Sequence, residues 1–265
     1  GLNHKLGWRG TTNTLLNFGE GLVRTPDNFG LRGEVPTHPA LLDWLAGEFI
    51  RSGWSLKWLH RQIVLSEAYG QASTVRPGAA GKDPDNRWLH RYPVQRLEAE
   101  MLRDAILEVS GRLDRRLGGS LVDWKNDDYV PGDEAPFGSV RRALYLPVVR
   151  DRGHDLFTAF DGANSSVSVA RRSSTVVSPQ ALYLLNAPLV RDAAERLMQS
   201  VKAEPEEGRL AALYRRVLGR KPSATEASRA AALLSDPRLA GVPQPQRWTV
   251  LAHALLCSNE FIHRE

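Results

Sequence analysis

The sequence predicts a mainly α protein, an irregular multi-helix bundle with one short β element and long loops. Three observations predict this class. Apolar residues recur at three- and four-residue spacing in several segments, helix-capping residues precede these segments, and Gly or Pro follows them. The composition of 42% apolar and 25% charged residues is typical of a globular chain, and 265 residues are enough to bury a substantial core.

The first two predicted helices follow a loop rich in Gly, Pro and Asn at residues 24–36. Thr37 is a good N-cap and Pro39 suits the first turn, whereas Ser55 caps the second helix. The connection between the helices is short, so we expect an antiparallel pair. Their apolar faces consist of Leu41, Leu42, Leu45, Phe49 and Ile50, followed by Leu56, Leu59, Ile63 and Val64.

The longest helix is predicted from Val94 to about Leu117, after a surface loop at residues 71–85. The two glycines at 118 and 119 are expected to end it. Residues 121–137 are polar and rich in turn formers, and residues 140–149 then predict a strand that Pro147 restricts to a sheet edge. Residues 151–177 predict a long irregular loop, of a length that is usually mobile or functional.

Further helices are predicted from Ser178 to the end of the chain, with breaks at residues 186–188 and at Pro205. Gly219 is expected to end one of them. Ser223 and Glu226 have the spacing of a capping box, which predicts the start of the next helix. The last helix carries an apolar face of Trp248, Leu251, Leu255 and Ile262.

These elements predict three parts of the chain. Residues 1–17 form an atypical N-terminal segment, and residues 18–204 form the main helical domain, in which the strand and the long loop at 121–177 are an insertion. Residues 205–265 form a three-helix unit that packs on this domain. Burial is predicted for Trp44, Trp54, Trp58 and Trp248, because they lie on or beside apolar faces, and exposure for Trp88 and Trp124.

The charge pattern argues against nucleic-acid binding. The net charge is +5, but the arginines stand next to carboxylates, and no basic block alternates with aromatic residues. The single cysteine, Cys257, excludes a disulfide or a cysteine-based metal cage within this chain. The seven histidines lack metal-site spacing, and no phosphate loop, dinucleotide fingerprint or serine-hydrolase elbow occurs. We therefore expect neither a metal nor a cofactor in this chain, and the sequence leaves open whether it is an enzyme.

Three groups of residues are candidate sites. The first group surrounds a predicted helix N-terminus, which attracts anions, although the same side chains could instead attach the long loop to the domain through bonds to carbonyls. The second, an Arg-, Asp- and Asn-containing loop, could bind an anionic or sugar-like ligand, or its polar side chains could close turns. The third is a carboxylate pair that could act as acid and base, or form ion pairs with adjacent arginines. The groups are Arg141, Arg142, Arg171, Thr175 and Gln180; Arg24, Asp27, Asn28 and His38; and Glu100 with Asp104.

Several motifs resemble a known family. They are GLVRTPDNFG at 21–30, PTHP at 36–39, LLDWL at 41–45, WSLK at 54–57, RLEAE at 96–100, RDA at 103–105, LYL at 144–146 and PQAL at 179–182. From residue 18 onward the chain resembles the C-terminal domain of unknown function of large planctomycete proteins. It departs from the family pattern at residues 13–16 and at Gly70.

This resemblance implies an extracytoplasmic or cell-envelope protein in which a cytochrome-c-like haem domain and a second domain of unknown function lie upstream. The upstream domains are then the expected partners, and haem is expected there rather than in this chain. The sequence thus predicts an accessory or ligand-recognition module. The alternatives are a carbohydrate-active enzyme or oxidoreductase component working with the upstream domain, and, third, a nucleic-acid-binding protein.

Overall fold

The computed structural model describes residues 31–121, 137–149, 153–166 and 172–264. These ranges contain ten α-helices and one pair of two-residue strands, so the predicted mainly α class is confirmed. The chain forms two compact units, to which the described residues 31–95 and 96–264 belong. The domain boundaries predicted at residues 17 and 204 stay predictions.

The unit of residues 31–95 contains the expected helix pair, α1 (Pro39–Arg51) and α2 (Leu56–Val64), which contact each other. His38, rather than Thr37, occupies the N-cap position of α1. Ser55 caps α2 as predicted, since its side chain accepts a hydrogen bond from the Trp58 N–H. Turns account for most of the rest of this unit.

The boundary between the two units falls within the strand β1 (Gln95–Arg96). The other unit continues with α3 (Ala99–Val109), which is buried along nearly its whole length. The prediction of a helix from Val94 to Leu117 was therefore too long. Gly111 has a left-handed φ of 73°, and the Arg112 N–H returns to the Leu107 carbonyl. This arrangement satisfies the last carbonyls and ends the helix well before Gly118.

The predicted strand at residues 140–149 was wrong. Its place is taken by a 3₁₀ turn at Ala143–Tyr145 and a single bridge between Arg141 and Asp114. The physical reason lies in α3, where the Asp104 carboxylate accepts the Ala143 N–H and Arg103 donates to the Arg141 carbonyl. The side chains of Asp104 and Arg103 thus form hydrogen bonds with backbone N–H and C=O groups that would otherwise pair with a neighbouring strand. A short helix, α4 (Asp155–Ala159), lies within the predicted loop at 151–177.

Six helices complete the fold: α5 (Ser178–Asn186), α6 (Pro188–Val201), α7 (Glu206–Leu218), α8 (Ala224–Leu234), α9 (Gln244–Leu256) and α10 (Asn259–Ile262). Gly219 ends α7 in a left-handed conformation, and Ser223 with Glu226 forms the predicted capping box of α8. Helix α9 packs chiefly on α6 and also contacts α7 and α8, whereas α6 contacts α3 and α5. The centre of this core has no exposed side-chain surface at Leu102, Val190, Leu197, Leu213, Val217 and Leu256.

The only strand pair among the described residues joins β1 to β2 (His263–Arg264). The Leu97 N–H extends the pairing by donating to the Ile262 carbonyl over 2.7 Å. The C-terminal end of the chain is thereby bonded to the segment that leads into α3.

Candidate functional site

Arg141, the centre of the first candidate group, donates to main-chain carbonyls. Its guanidinium donates to Arg116 O at 3.1 Å, to Gly119 O at 3.2 Å and to Gly118 O. It also lies 4.2 Å from the centroid of the Tyr145 ring. Arg141 thus attaches residues 116–119 to the 3₁₀ turn, and these carbonyls lie outside the long loop at 151–177 that the structural alternative named.

The most deeply buried charges are those of Arg103 and Asp104 on α3, whose side chains are 2% and 1% exposed. Arg103 donates to the Arg141 carbonyl at 2.8 Å and to the Ser139 carbonyl, and its Nη1 lies 3.3 Å from Asp104 Oδ1. Burial raises the pKa of the Asp104 carboxyl, against the opposing effects of the Ala143 N–H and of Arg103. Together the two side chains hold residues 139–143 against α3.

Thr175 and Gln180 meet, as the first candidate group requires, but their other partners are Arg96 and Asp161. Arg96 donates to Asp161 Oδ2 at 2.6 Å, to the Thr175 carbonyl at 3.0 Å and to the Phe160 carbonyl at 3.2 Å. Thr175 donates to Asp161 through both its N–H and its hydroxyl, and Gln180 Nε2 donates to Thr175 Oγ1. Burial raises the pKa of Asp161, but the bonds from Thr175 and Arg96 outweigh it and lower that pKa below its ordinary value.

Glu100 and Asp104 lie one helical turn apart on α3 but in different surroundings. Glu100 accepts a hydrogen bond of 2.6 Å from Arg172, which also lies 3.4 Å from Glu98, near the surface. Asp104 is buried and bonds to Arg103 and Ala143. Each carboxylate has its own arginine partner, which is the ion-pair alternative, and an acid–base role for the two stays a prediction.

The remaining candidates are dispersed. His38 lies at the start of α1, where its Nδ1 hydrogen-bonds to Thr37 Oγ1 at 2.9 Å. Arg142 is half-buried beside the 3₁₀ turn, and its charge acts on Asp104. Four of the predicted residues lie outside the described ranges: Arg24, Asp27, Asn28 and Arg171. The described candidates therefore belong to several separate networks rather than to one site.

Sequence reasoning missed a role for His154. Its Nδ1 accepts the Leu156 N–H at 3.2 Å and so caps α4, and its ring lies 4.9 Å from that of Phe157. Burial lowers the pKa of His154, and the positive charge of Arg103 adds to this effect. Burial also raises the pKa of Tyr183, on α5, to about 12. The acidic Asp155 directly after His154 is a signal of a helix start that could have identified the cap.

Sequence reasoning also missed an exposed apolar surface on α1. Leu41, Leu45 and Phe49 form a half-buried stripe that faces inward. Beside it runs a second stripe, here called the outer stripe, that consists of Leu42, Ala46 and Ile50. Leu42 is 39% and Ile50 is 54% exposed, and no residue of α1 is buried. The signal was in the sequence, because these six residues cover about half the circumference of the helix, more than one packed neighbour covers.

The burial of the tryptophan side chains agrees with the prediction only in part. Trp248 is buried as expected, and Trp88 is 66% exposed as expected. Trp44 and Trp54 are 50% and 65% exposed, so their predicted burial was wrong. Trp54 follows α1 in a left-handed conformation and contacts the half-buried Phe49 edge to face at 5.4 Å. Trp124 lies outside the described residues.

Within the described ranges, no three His, Cys, Asp or Glu side chains are grouped so that they could hold a metal ion. In the same ranges, the helices are too short or too polar to cross a membrane.

Comparison with known proteins identifies a family. A family model described as PSD1, a protein of unknown function (DUF1553), matches residues 4–234. The comparisons with curated proteins and with solved structures found no significant match. Because the matched region covers most of the sequence and includes both compact units in large part, the chain belongs to the DUF1553 family of proteins of unknown function.

Proposed function

We propose that this chain is a non-catalytic accessory module that binds a neighbouring domain of a larger protein through the outer stripe of α1. One observation carries the proposal. Helix α1 has 13 residues and none of them is buried, although apolar side chains cover about half of its circumference.

The exposed area has the chemistry of a protein-binding surface. Leu42, Ala46 and Ile50 follow one another at four-residue spacing, so they form a continuous apolar line on the helix. Trp54, beside Phe49, adds an exposed indole at the end of the helix. Grouped apolar side chains that stay in water are typical of interaction sites, and burial of such area contributes about 25 cal/mol per Å².

The polar candidates support an accessory role over an enzymatic one. Arg96, Arg103 and Arg141 bond to carbonyls and carboxylates of their own unit, and Glu100 and Asp104 are ion-paired. A catalytic group must instead face a reacting molecule. Turnover of glycans, esters or redox dyes by the purified chain, abolished by Glu100→Gln or Asp104→Asn, would contradict the proposal.

The resemblance noted above supplies the proposed setting. In this setting, the parent is an exported, planctomycete-type protein. The neighbouring domain is one of its upstream domains, which include the cytochrome-c-like haem domain. The chain itself would then need no cofactor. The partner of the outer stripe is in this proposal part of the same polypeptide.

Hydrogen exchange tests the proposal, with the purified chain compared with its parent protein. We expect the amides of α1 to exchange at least about tenfold more slowly in the parent, because docking excludes water and suppresses opening of the helix. The double variant Leu42→Gln with Ile50→Gln should remove this extra protection. The thermal midpoint of the isolated chain should change by only about 2 °C, because both side chains are exposed.

The control is Leu182→Gln with Leu185→Gln, which changes two exposed leucines on α5. This variant should keep the extra protection of α1. Equal exchange rates of α1 in the chain and in the parent would show that the proposal is wrong. Concentration-dependent dimerisation of the chain, lost in the outer-stripe variant, would assign the stripe to a second copy instead.

A further inference from the structure

Asp161 and Gly162 form the only Asp–Gly pair in the sequence. In such a pair, the glycine amide nitrogen can attack the side-chain carboxyl carbon of the aspartate, because glycine has no side chain to hinder it. The attack forms a five-membered succinimide ring and releases one molecule of water. Addition of water to one or the other ring carbonyl then gives aspartate or isoaspartate, in which the main chain runs through the former side chain. Residues 161 and 162 are therefore able to isomerise.

The fold requires both members of this pair. The Gly162 N–H donates to the Phe157 carbonyl at 2.6 Å, and a Cβ on residue 162 would lie 2.7 Å from that oxygen, so a side chain is excluded there. Asp161 has a left-handed φ of 56°, which aspartate tolerates better than most residues, and its carboxylate is the shared acceptor of Arg96 and Thr175. Replacing either member would therefore remove contacts or add backbone strain.

Both carboxylate oxygens of Asp161 accept hydrogen bonds. Oδ2 accepts the Arg96 guanidinium at 2.6 Å and the Thr175 N–H at 2.9 Å, and the Thr175 hydroxyl lies 3.0 Å from both Oδ1 and Oδ2. The Asp161 side chain is 18% exposed and that of Arg96 only 5%, so the ion pair is largely shielded from water. The bond from the guanidinium joins two charged groups, which makes it one of the stronger kinds of hydrogen bond.

Closure of the succinimide ring conflicts with these bonds. One carboxyl oxygen must leave as water, yet each oxygen of Asp161 has a hydrogen bond that its departure would break. The Gly162 nitrogen must lose the proton that it donates to the Phe157 carbonyl. The oxygen leaves as water only from a protonated carboxyl. Burial raises the pKa of Asp161, but the bonds from Thr175 and Arg96 outweigh it, so the protonated form is rarer than in the unfolded chain.

We propose that residues 161–162 are a latent isomerisation site, which the bonds from Arg96 and Thr175 keep in the aspartate form. Isomerisation would lengthen the main chain and shift the carboxylate, so the acceptor that Arg96 and Thr175 share would be lost. The bonds that attach the segment before α5 thus also protect the residue that accepts them. This inference goes beyond the accessory role and does not depend on it, because it concerns other residues and needs no partner.

Prolonged incubation of the full 265-residue chain at neutral pH tests this proposal. Isoaspartate at residue 161 is quantified by mass spectrometry with electron-transfer fragmentation, which distinguishes it from aspartate of equal mass. We expect it to accumulate at least about tenfold more slowly in the folded chain than in the same chain unfolded in guanidinium chloride. Thr175→Val should raise the rate in the folded chain at least about threefold, whereas Thr175→Ser, which keeps the hydroxyl, should react like the wild type.

The exposed Asn164 is an internal control, because it forms a succinimide by the same attack with loss of ammonia. Its deamidation rate should be the same in Thr175→Val and in the wild type. The matched control variant Ser174→Ala removes the exposed hydroxyl next to Thr175 in the sequence and should leave the rate at Asp161 unchanged. Equal rates at Asp161 in the folded and unfolded chains would overturn the proposal. An unchanged rate in Thr175→Val, or an equal rise at Asp161 and Asn164, would also overturn it.

Discussion

Arginine side chains connect distant segments of this protein by donating to main-chain carbonyls. Arg216 donates to Val109 O at 2.9 Å, and Arg247 donates to Leu234 O at 2.8 Å and to Val242 O at 2.9 Å, as Arg103 and Arg141 do elsewhere. The guanidinium has five donors in a planar fork, so one side chain can satisfy several carbonyls at a turn or a helix end. A high arginine content here therefore serves the fold as well as the surface.

Arg103→Ala should strongly destabilise the protein. The change leaves the buried Asp104 without its charged partner and leaves the Ser139 and Arg141 carbonyls without a donor. We expect the free energy of unfolding to fall by about 3–5 kcal/mol in chemical denaturation. The control Arg115→Ala breaks only the exposed pair with Glu108 and should cost less than about 1 kcal/mol. Similar losses for the two variants would contradict a structural role for Arg103.

His154 should make stability depend on pH. Its pKa in the folded protein lies below the ordinary value of 6.5, so the unfolded chain takes up the proton first as the pH falls. Stability is then complete above about pH 6.5 and decreases below it, because protonation also removes the lone pair that caps α4. His154→Asn keeps a capping oxygen without titrating. As the pH is lowered from 7.5 to 5.5, the thermal midpoint of the wild type should decrease relative to that of His154→Asn. A difference that stays constant would refute the prediction.

The sequence gives the type of each side chain but not the direction in which it points. It identified Thr175 and Gln180 as neighbours because they flank one helix start, and their contact is local. It could not identify Asp161 as their partner, because the pairing with Arg96 joins segments 65 residues apart. The predicted burial of Trp44 was wrong for a related reason, since a residue on the apolar face of a helix is buried only where a neighbouring element covers it.

Local signals in the sequence predicted several starts and ends of helices correctly. Ser55, Ser223 and Gly219 act as caps because their bonds reach only three or four residues along the chain. The early end of α3 and the loss of the strand at residues 140–149 depend instead on tertiary bonds from Arg103 and Asp104. Periodicity alone carries no information on such bonds, which explains both errors.

The end of α4 depends on close packing at Gly162. The Gly162 N–H donates to the Phe157 carbonyl, and a Cβ added at Gly162 would lie 2.7 Å from that same carbonyl oxygen. Gly162→Ala must therefore displace the backbone of α4, and we expect a loss of about 1–3 kcal/mol in chemical denaturation. Gly241→Ala, where an added Cβ meets no atom within 4 Å, is the control and should change stability by less than about 1 kcal/mol. Equal effects would show that residue 162 has more room than described.

The unit of residues 96–264 is organised around α6 and α9. Helix α9 contacts α6, α7 and α8, and α6 contacts α3 and α5, so these two helices connect most of the core. The sequence predicted the class of this bundle, because each helix has its own apolar face. It could not predict which faces meet, since many pairings bury similar apolar area.

The pairing of β1 with β2 has a consequence for how the protein folds. The bonded residues Leu97 and Ile262 stand at opposite ends of this unit's sequence, and closing so long a loop loses chain entropy that only a formed core can offset. We expect pulsed hydrogen exchange during refolding to protect the Leu97 amide after the Leu102 amide of α3, which bonds to the carbonyl of the N-cap residue Glu98. Simultaneous or earlier protection of Leu97 would contradict this order.

A segment that joins a structure late, and through so few bonds, also detaches from it at low cost under native conditions. The strand β2 should then separate from β1 many times for each global unfolding event. In native-state hydrogen exchange, the Leu97 amide, which bonds to the Ile262 carbonyl, should then exchange faster than the Leu102 amide of α3.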